Sequence, residues 1–132
     1  MTGVMETIPE SEIYTRLGEG GFDRLIAAFY ARVRQDDVIG PLYPPDEWEA
    51  AQSRLRDFLI QRFGGPATYS ETRGHPRLRM RHGPFSIGPA ERDRWLELMR
   101  DAMLETGIEP AVAATMWPYF VSTANFMMNR DS

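Results

Sequence analysis

The chain has two histidines, His75 and His82, and both fall in one run, Gly74 to Phe85, that reads GHPRLRMRHGPF. Arg77, Arg79 and Arg81 share the run, and Arg73 directly precedes it. Imidazole binds metals and moves protons near neutral pH, and a guanidinium grips planar carboxylates through two parallel hydrogen bonds. Pro76 suits a first helical position and Gly83-Pro84 stops a helix, so the punctuation predicts two turns over residues 76–82, ending on His82. A spacing of seven separates the imidazoles by roughly 10 Å along a helix axis. They cannot easily share one ion. A metal held by one of them needs further ligands, and a porphyrin supplies four nitrogens of its own while asking the protein for a single proximal histidine.

His82 is the better ligand candidate. On the last helical turn a carbonyl of the preceding turn, for which Leu78 is a candidate, can accept the proton of one ring nitrogen and leave the other for iron. Leu78, Met80 and Phe85 add apolar bulk that suits a flat macrocycle, and equally an ordinary core. His75 precedes a proline and is better placed to cap the helix or face a carboxylate. A lone histidine is more often structural than ligating, so these residues alone leave both readings open. The four arginines meet one nearby acid, Glu71. Arg77 and Arg81 repel on one face unless an anion lies between them. Haem propionates would be such an anion; a solvated charge run is the plainer alternative.

Three further side chains carry donors. Tyr30 lies inside an apolar helical face, where a buried hydroxyl must find a partner. Tyr43 follows a turn, and Trp95 heads the apolar face of another helix. Taken singly each is a core residue. Converging on one cavity, they would form a polar site for a ligand on the far side of the iron, but spacing alone cannot show convergence.

The elements that must position these groups read as all-helical. A polar, flexible arm is expected over residues 1–10, followed by a single domain over 11–132. A short helix is expected at 11–17 and a turn at Gly18, Gly20 and Gly21. The face Phe22, Leu25, Ile26, Phe29, Tyr30 and Val33 then has helical spacing, and Asp36-Asp37 and Gly40-Pro41 break it. Asp46 and Glu49 form a capping-box-like pair ahead of Trp48, Ala51, Leu55, Phe58 and Leu59. Gly64-Gly65-Pro66 stops that helix, and a long loop is expected over 66–75. Pro89 opens a helix with Trp95, Leu98, Met99, Ala102 and Met103 on one face, ended by Gly107. The last helix starts near Pro110, and Pro118 should kink it.

Bulk properties narrow the classes. The 132 residues are 42% hydrophobic and 26% charged, the balance of one globular domain. A net charge of −4 argues against nucleic acid as a partner. All fifteen basic residues are arginine, which fits carboxylate recognition but more simply reflects composition bias. The absence of cysteine excludes disulfides, thiolate metal sites and iron–sulfur clusters. The first ten residues lack the basic head and apolar run of a secretory signal, and no apolar run is long enough to span a membrane. A cytoplasmic protein without membrane partners is expected.

The chain resembles the truncated haemoglobins, and their second group in particular. The matching elements are Gly20-Gly21, Phe29-Tyr30, Leu42-Tyr43-Pro44, Gly64-Gly65-Pro66 and Thr68-Tyr69-Ser70 through GHPRLRMRHGPF. Ile87-Gly88-Pro89 and Glu91-Arg92-Asp93-Arg94-Trp95-Leu96 follow, and the match covers roughly residues 12–130. The histidine block with a tryptophan thirteen residues later is the specific part.

The resemblance implies a shortened globin fold, a two-over-two helical sandwich around haem b (iron protoporphyrin IX). It assigns His82 as the proximal iron ligand. Tyr30, Tyr43 and Trp95 become the distal donors to the bound ligand. It places Ala51, Arg54, Leu55, Phe58, Tyr69, Leu78, Arg81, His82 and Phe85 around the cofactor, with Arg54, Tyr69 and Arg81 near the propionates. Reversible binding of dioxygen, carbon monoxide and nitric oxide is the implied function, tight enough for scavenging or sensing, by a monomer or a homodimer. An enzyme that detoxifies nitric oxide or peroxide on the same haem, served by a reductase, is the alternative. A cofactor-free helical adaptor is a third.

Overall fold

The structure, a computed structural model, describes residues 7–74 and 87–129. Among these, five α-helices and two short 3-10 helices occur, and no strand. The helices are α1 (Ile13–Gln35), α2 (Trp48–Arg62), α3 (Thr68–Arg73), α4 (Pro89–Glu105) and α5 (Pro110–Met127). The 3-10 helices are Glu10–Glu12 and Gly40–Leu42. α1 packs against α2 and against α4, and α4 pairs with α5. The all-helical, two-over-two arrangement expected from the sequence is the one adopted.

Apolar periodicity explains the packing of α1. Phe22, Leu25, Ile26, Phe29, Tyr30 and Val33 are all buried, meeting Leu59 and Phe63 from the α2 side and Met99, Met116 and Phe120 from α4 and α5. Each such side chain contributes about 1.5–3 kcal/mol on burial. Gly18 has φ +77 and ψ 162, so the helix is broken there into 13–17 and 19–35, as the glycine signal suggested. The first piece is fastened by Tyr14, whose N–H donates to the Phe63 carbonyl at 3.0 Å.

Of the expected arm, residues 7–10 are described: the Ile8 N–H donates to Thr115 Oγ1 at 2.9 Å, and Glu10 pairs with Arg62 at 3.0 Å. Two local expectations need correction. Asp46 does not cap α2, because a turn from the Pro44 carbonyl to the Glu47 N–H consumes it, and Glu47 holds the N-cap position without a side-chain bond. The loop over 66–75 contains α3, held by Ser70, whose N–H donates to Gln61 Oε1 at 2.8 Å, and by buried Tyr69. α5 is unbroken across Pro118, whose surface is exposed. The helix expected at 76–82 lies outside the described residues.

α4 begins as its sequence announces, with Pro89 at the first position and Glu91 Oε1 accepting the Gly88 N–H at 2.8 Å. Ile87 and Asn129 exchange two hydrogen bonds of 2.8 Å, which fastens the end of α5 to the entry of α4.

Candidate functional site

α1, α2, α4 and α5 enclose a cavity of about 450 Å³. That is within the range of small-molecule and cofactor sites. Each wall comes from a different element. α1 supplies Tyr30, the segment after it Leu42 and Tyr43, and α2 supplies Ala51, Arg54, Leu55, Phe58 and Leu59. Tyr69 of α3, Ile87 and Trp95 around α4, and Phe120, Ala124 and Met127 of α5 complete it. The eight described residues that the sequence reading singled out (Tyr30, Tyr43, Ala51, Arg54, Leu55, Phe58, Tyr69 and Trp95) all line this one cavity. Leu78, Arg81, His82 and Phe85 lie outside the described residues, as do His75, Arg77, Arg79 and Met80.

The polar side is organised around Tyr43. The Tyr43 hydroxyl faces the Tyr30 hydroxyl and the Trp95 indole N–H, and each neighbour influences its titration. An indole N–H can only donate, and a phenolic oxygen accepts two bonds while donating one. Toward Trp95, Tyr43 can therefore only accept. Burial pushes both phenols above the ordinary tyrosine range. The charge and hydrogen-bonding influence of Tyr43 raise Tyr30 further, whereas Tyr43 is partly drawn back by Tyr30, Trp95 and the positive charge of Arg54.

Ring contacts fix these groups. Tyr30 and Tyr43 meet edge to face with centroids 5.6 Å apart, and Tyr43 stacks on Trp48 at 5.2 Å. Trp95 is wedged between Phe29 at 5.1 Å and Phe120 at 5.7 Å. Arg54 lines the cavity half-buried and forms no ion pair with any described carboxylate. On the α5 side burial also raises Tyr119, offset by a hydrogen bond with Thr123 and by the Arg62 guanidinium, 4.5 Å from the ring centroid.

The cavity therefore combines apolar walls, a cluster of donors on one side and an arginine without a described partner. A flat macrocycle bearing carboxylates fits that combination: Leu55, Phe58, Phe120 and Met127 offer apolar surface, and Arg54 offers a cation.

Comparison with known proteins agrees with this geometry. The family model for bacterial-like globins matches residues 12–129. The group 2 truncated haemoglobin YjbI of Bacillus subtilis is 38% identical over 117 residues, covering 89% of this chain and 88% of that protein. The chain belongs to the group II truncated haemoglobins. A haemoglobin structure from the thermophilic phototroph Chloroflexus aurantiacus is 51% identical to this globin, with a TM-score of 0.86, covering 89% of this chain and 98% of that one. A Bacillus subtilis structure described as a truncated oxygen-avid haemoglobin is 37% identical, with a TM-score of 0.84, covering 89% of this chain and 98% of that one. Membership implies a haem cofactor and small diatomic ligands for this globin. None of its described helices is long and apolar enough to cross a membrane.

The α5 wall, Phe120, Ala124 and Met127, was not assigned to the site from sequence. Its spacing of four and three residues was visible, but an apolar stripe reads the same whether it faces a core or a cofactor. Ile87 gave no signal of its own.

Proposed function

We propose that this globin holds haem b in the cavity, with His82 as the residue that would ligate its iron, and binds dioxygen and related diatomic molecules reversibly and tightly. When bound, the haem supplies an iron that takes up a diatomic ligand. The chain's own residues do the rest. Apolar side chains of α2 and α5 exclude water around the macrocycle, and Arg54 neutralises a propionate. Tyr43 would offer its hydrogen to a ligand with partial negative charge. Tyr30 and Trp95, which face Tyr43, would strengthen it as a donor, since chained hydrogen bonds polarise one another.

The convergence of Tyr30, Tyr43 and Trp95 on one cavity carries this reading. A pocket with preorganised donors slows ligand release, and the similar Bacillus subtilis protein is described as oxygen-avid. The test is an absorption spectrum of the purified chain after addition of haemin, with and without carbon monoxide. A Soret band that shifts with carbon monoxide in the wild type, and is lost or strongly altered in His82→Ala, is expected. A chain that takes up no haemin would overturn the proposal.

A further inference from the structure

The three donors sit on three different elements, so their meeting depends on how those elements are tied. Tyr30 belongs to α1, Tyr43 follows the Gly40–Leu42 turn, and Trp95 belongs to α4. One polar contact reaches all three. Asp36 closes α1, and only 6% of its side chain is exposed. Its Oδ2 accepts the N–H groups of Val38 and Ile39, both at 2.9 Å, and its Oδ1 accepts Arg94 Nη1 at 2.5 Å. Arg94 is the neighbour of Trp95 in the chain.

From Asp36 onward the path to Tyr43 is stiff. The Leu42 N–H donates to the Ile39 carbonyl and the Tyr43 N–H to the Gly40 carbonyl, each at 3.1 Å. Gly40 presses so closely on the last turn of α1 that a Cβ there would stand 2.7 Å from the Val33 carbonyl oxygen. The segment from 36 to 43 therefore moves as one arm, and the Asp36 carboxylate is where α4 grips it. An exposed ion pair would do little. This one has a buried carboxylate with three donors, and charge-assisted bonds of that kind impose geometry.

We propose that the Asp36–Arg94 pair is the positioning element of the donor cluster, holding the arm that carries Tyr43 against the helix that carries Trp95. Asp37, at 3.6 Å, and Glu97, at 3.7 Å, also approach Arg94, but both are exposed and neither touches the arm's backbone. The proposal rests on the haem-pocket reading for one of its two readouts, ligand release; the other, the Trp95 indole N–H resonance, needs no haem.

The test uses the full chain with haem and carbon monoxide bound. The indole N–H resonance of Trp95 is identified by its loss in Trp95→Phe. Arg94→Gln, at a half-exposed position that tolerates substitution, should shift that resonance and speed oxygen release about tenfold, the usual order for groups coupled in one network. Arg94→Lys, which keeps the charge without the fork, should fall between it and the wild type. Adding Asp36→Asn to Arg94→Gln should accelerate release no further. Arg16→Gln, which breaks the distant, exposed Arg16–Glu109 pair, should leave both readouts in place. An unmoved Trp95 resonance with unchanged release in Arg94→Gln would overturn the proposal. If the wild type takes up no haem, the haem reading fails on its own. The same resonance, compared between the haem-free wild type and Arg94→Gln, then decides the positioning role.

Discussion

Tyr30 and Tyr43 meet edge to face with ring centroids 5.6 Å apart, and both line the cavity. Tyr43 is the one that also faces the Trp95 indole N–H, which can only donate, so Tyr43 accepts there and its own hydrogen remains for a ligand. Tyr43→Phe should therefore speed oxygen release by about tenfold to a hundredfold, as expected for loss of a hydrogen bond to a partly charged acceptor. Tyr30→Phe should have a smaller effect, about threefold, because it weakens Tyr43 only through the network. Stopped-flow displacement of oxygen by carbon monoxide measures both. Equal effects, or the reverse order, would mean that Tyr30 reaches the ligand directly.

The same pair should govern the alkaline limit of stability. Burial pushes the Tyr30 phenol well above its ordinary value, and the Tyr43 charge and hydrogen bond add to the rise. A folded-state pKa above the unfolded one contributes stability that is complete below about pH 10 and is lost as pH rises through the folded value. Tyr30→Phe should cost about 1 kcal/mol at neutral pH through the lost hydrogen bond. Above about pH 10 its deficit should shrink and then reverse, because phenylalanine has nothing to ionise. Circular dichroism against pH, for wild type and variant, reads the crossing.

Legibility differed between site and scaffold for physical reasons. Phe29-Tyr30 announced itself because a hydroxyl inside an apolar helical face is an anomaly that only a partner resolves. Met127 and Phe120 showed no such anomaly; they differ from core residues only in what they face. α3 escaped because TYSETR has too few residues for a helical period, and its anchors are the single ring of Tyr69 and the two hydrogen bonds exchanged between Gln61 and Ser70. The Asp36–Arg94 contact escaped because it spans 58 residues, and each partner, read locally, is a surface charge beside others of its kind.

Asp36 should also leave a mark on acid stability. Burial alone would raise its carboxyl, but the N–H of Ile39, the Arg94 guanidinium and the N–H of Val38 outweigh that and hold it below the ordinary value. Stability from such a group is complete above the unfolded value of about 3.9 and is lost as pH falls through the lower folded one. Asp36→Asn should be less stable than wild type at neutral pH, and the gap should close below about pH 4. Urea unfolding at several pH values checks it. A gap that stays constant with pH would mean that the ionised carboxylate contributes nothing to the fold.

Two glycines with left-handed backbones separate strain from crowding. Gly64 has φ +97, and a Cβ there would stand 2.4 Å from the Ser11 carbonyl oxygen, a backbone atom that cannot swing aside. Gly107 has φ +65, and a Cβ there would meet nothing within 4 Å. Gly107→Ala should cost only the left-handed penalty, about 1 kcal/mol. Gly64→Ala adds a backbone clash to that strain and should cost about 3 kcal/mol or more. The clash lies where 13–17 is fastened to the end of α2 through Tyr14 and Phe63, so relieving it would pull those two elements apart. Because Phe63 is fully buried against the Tyr119 ring, the loss should spread to the α5 wall of the cavity. Thermal unfolding should therefore rank the two variants in this order, and only Gly64→Ala should also weaken haemin retention. Equal losses in the two variants would show that the Gly64–Ser11 approach is relaxed at little cost.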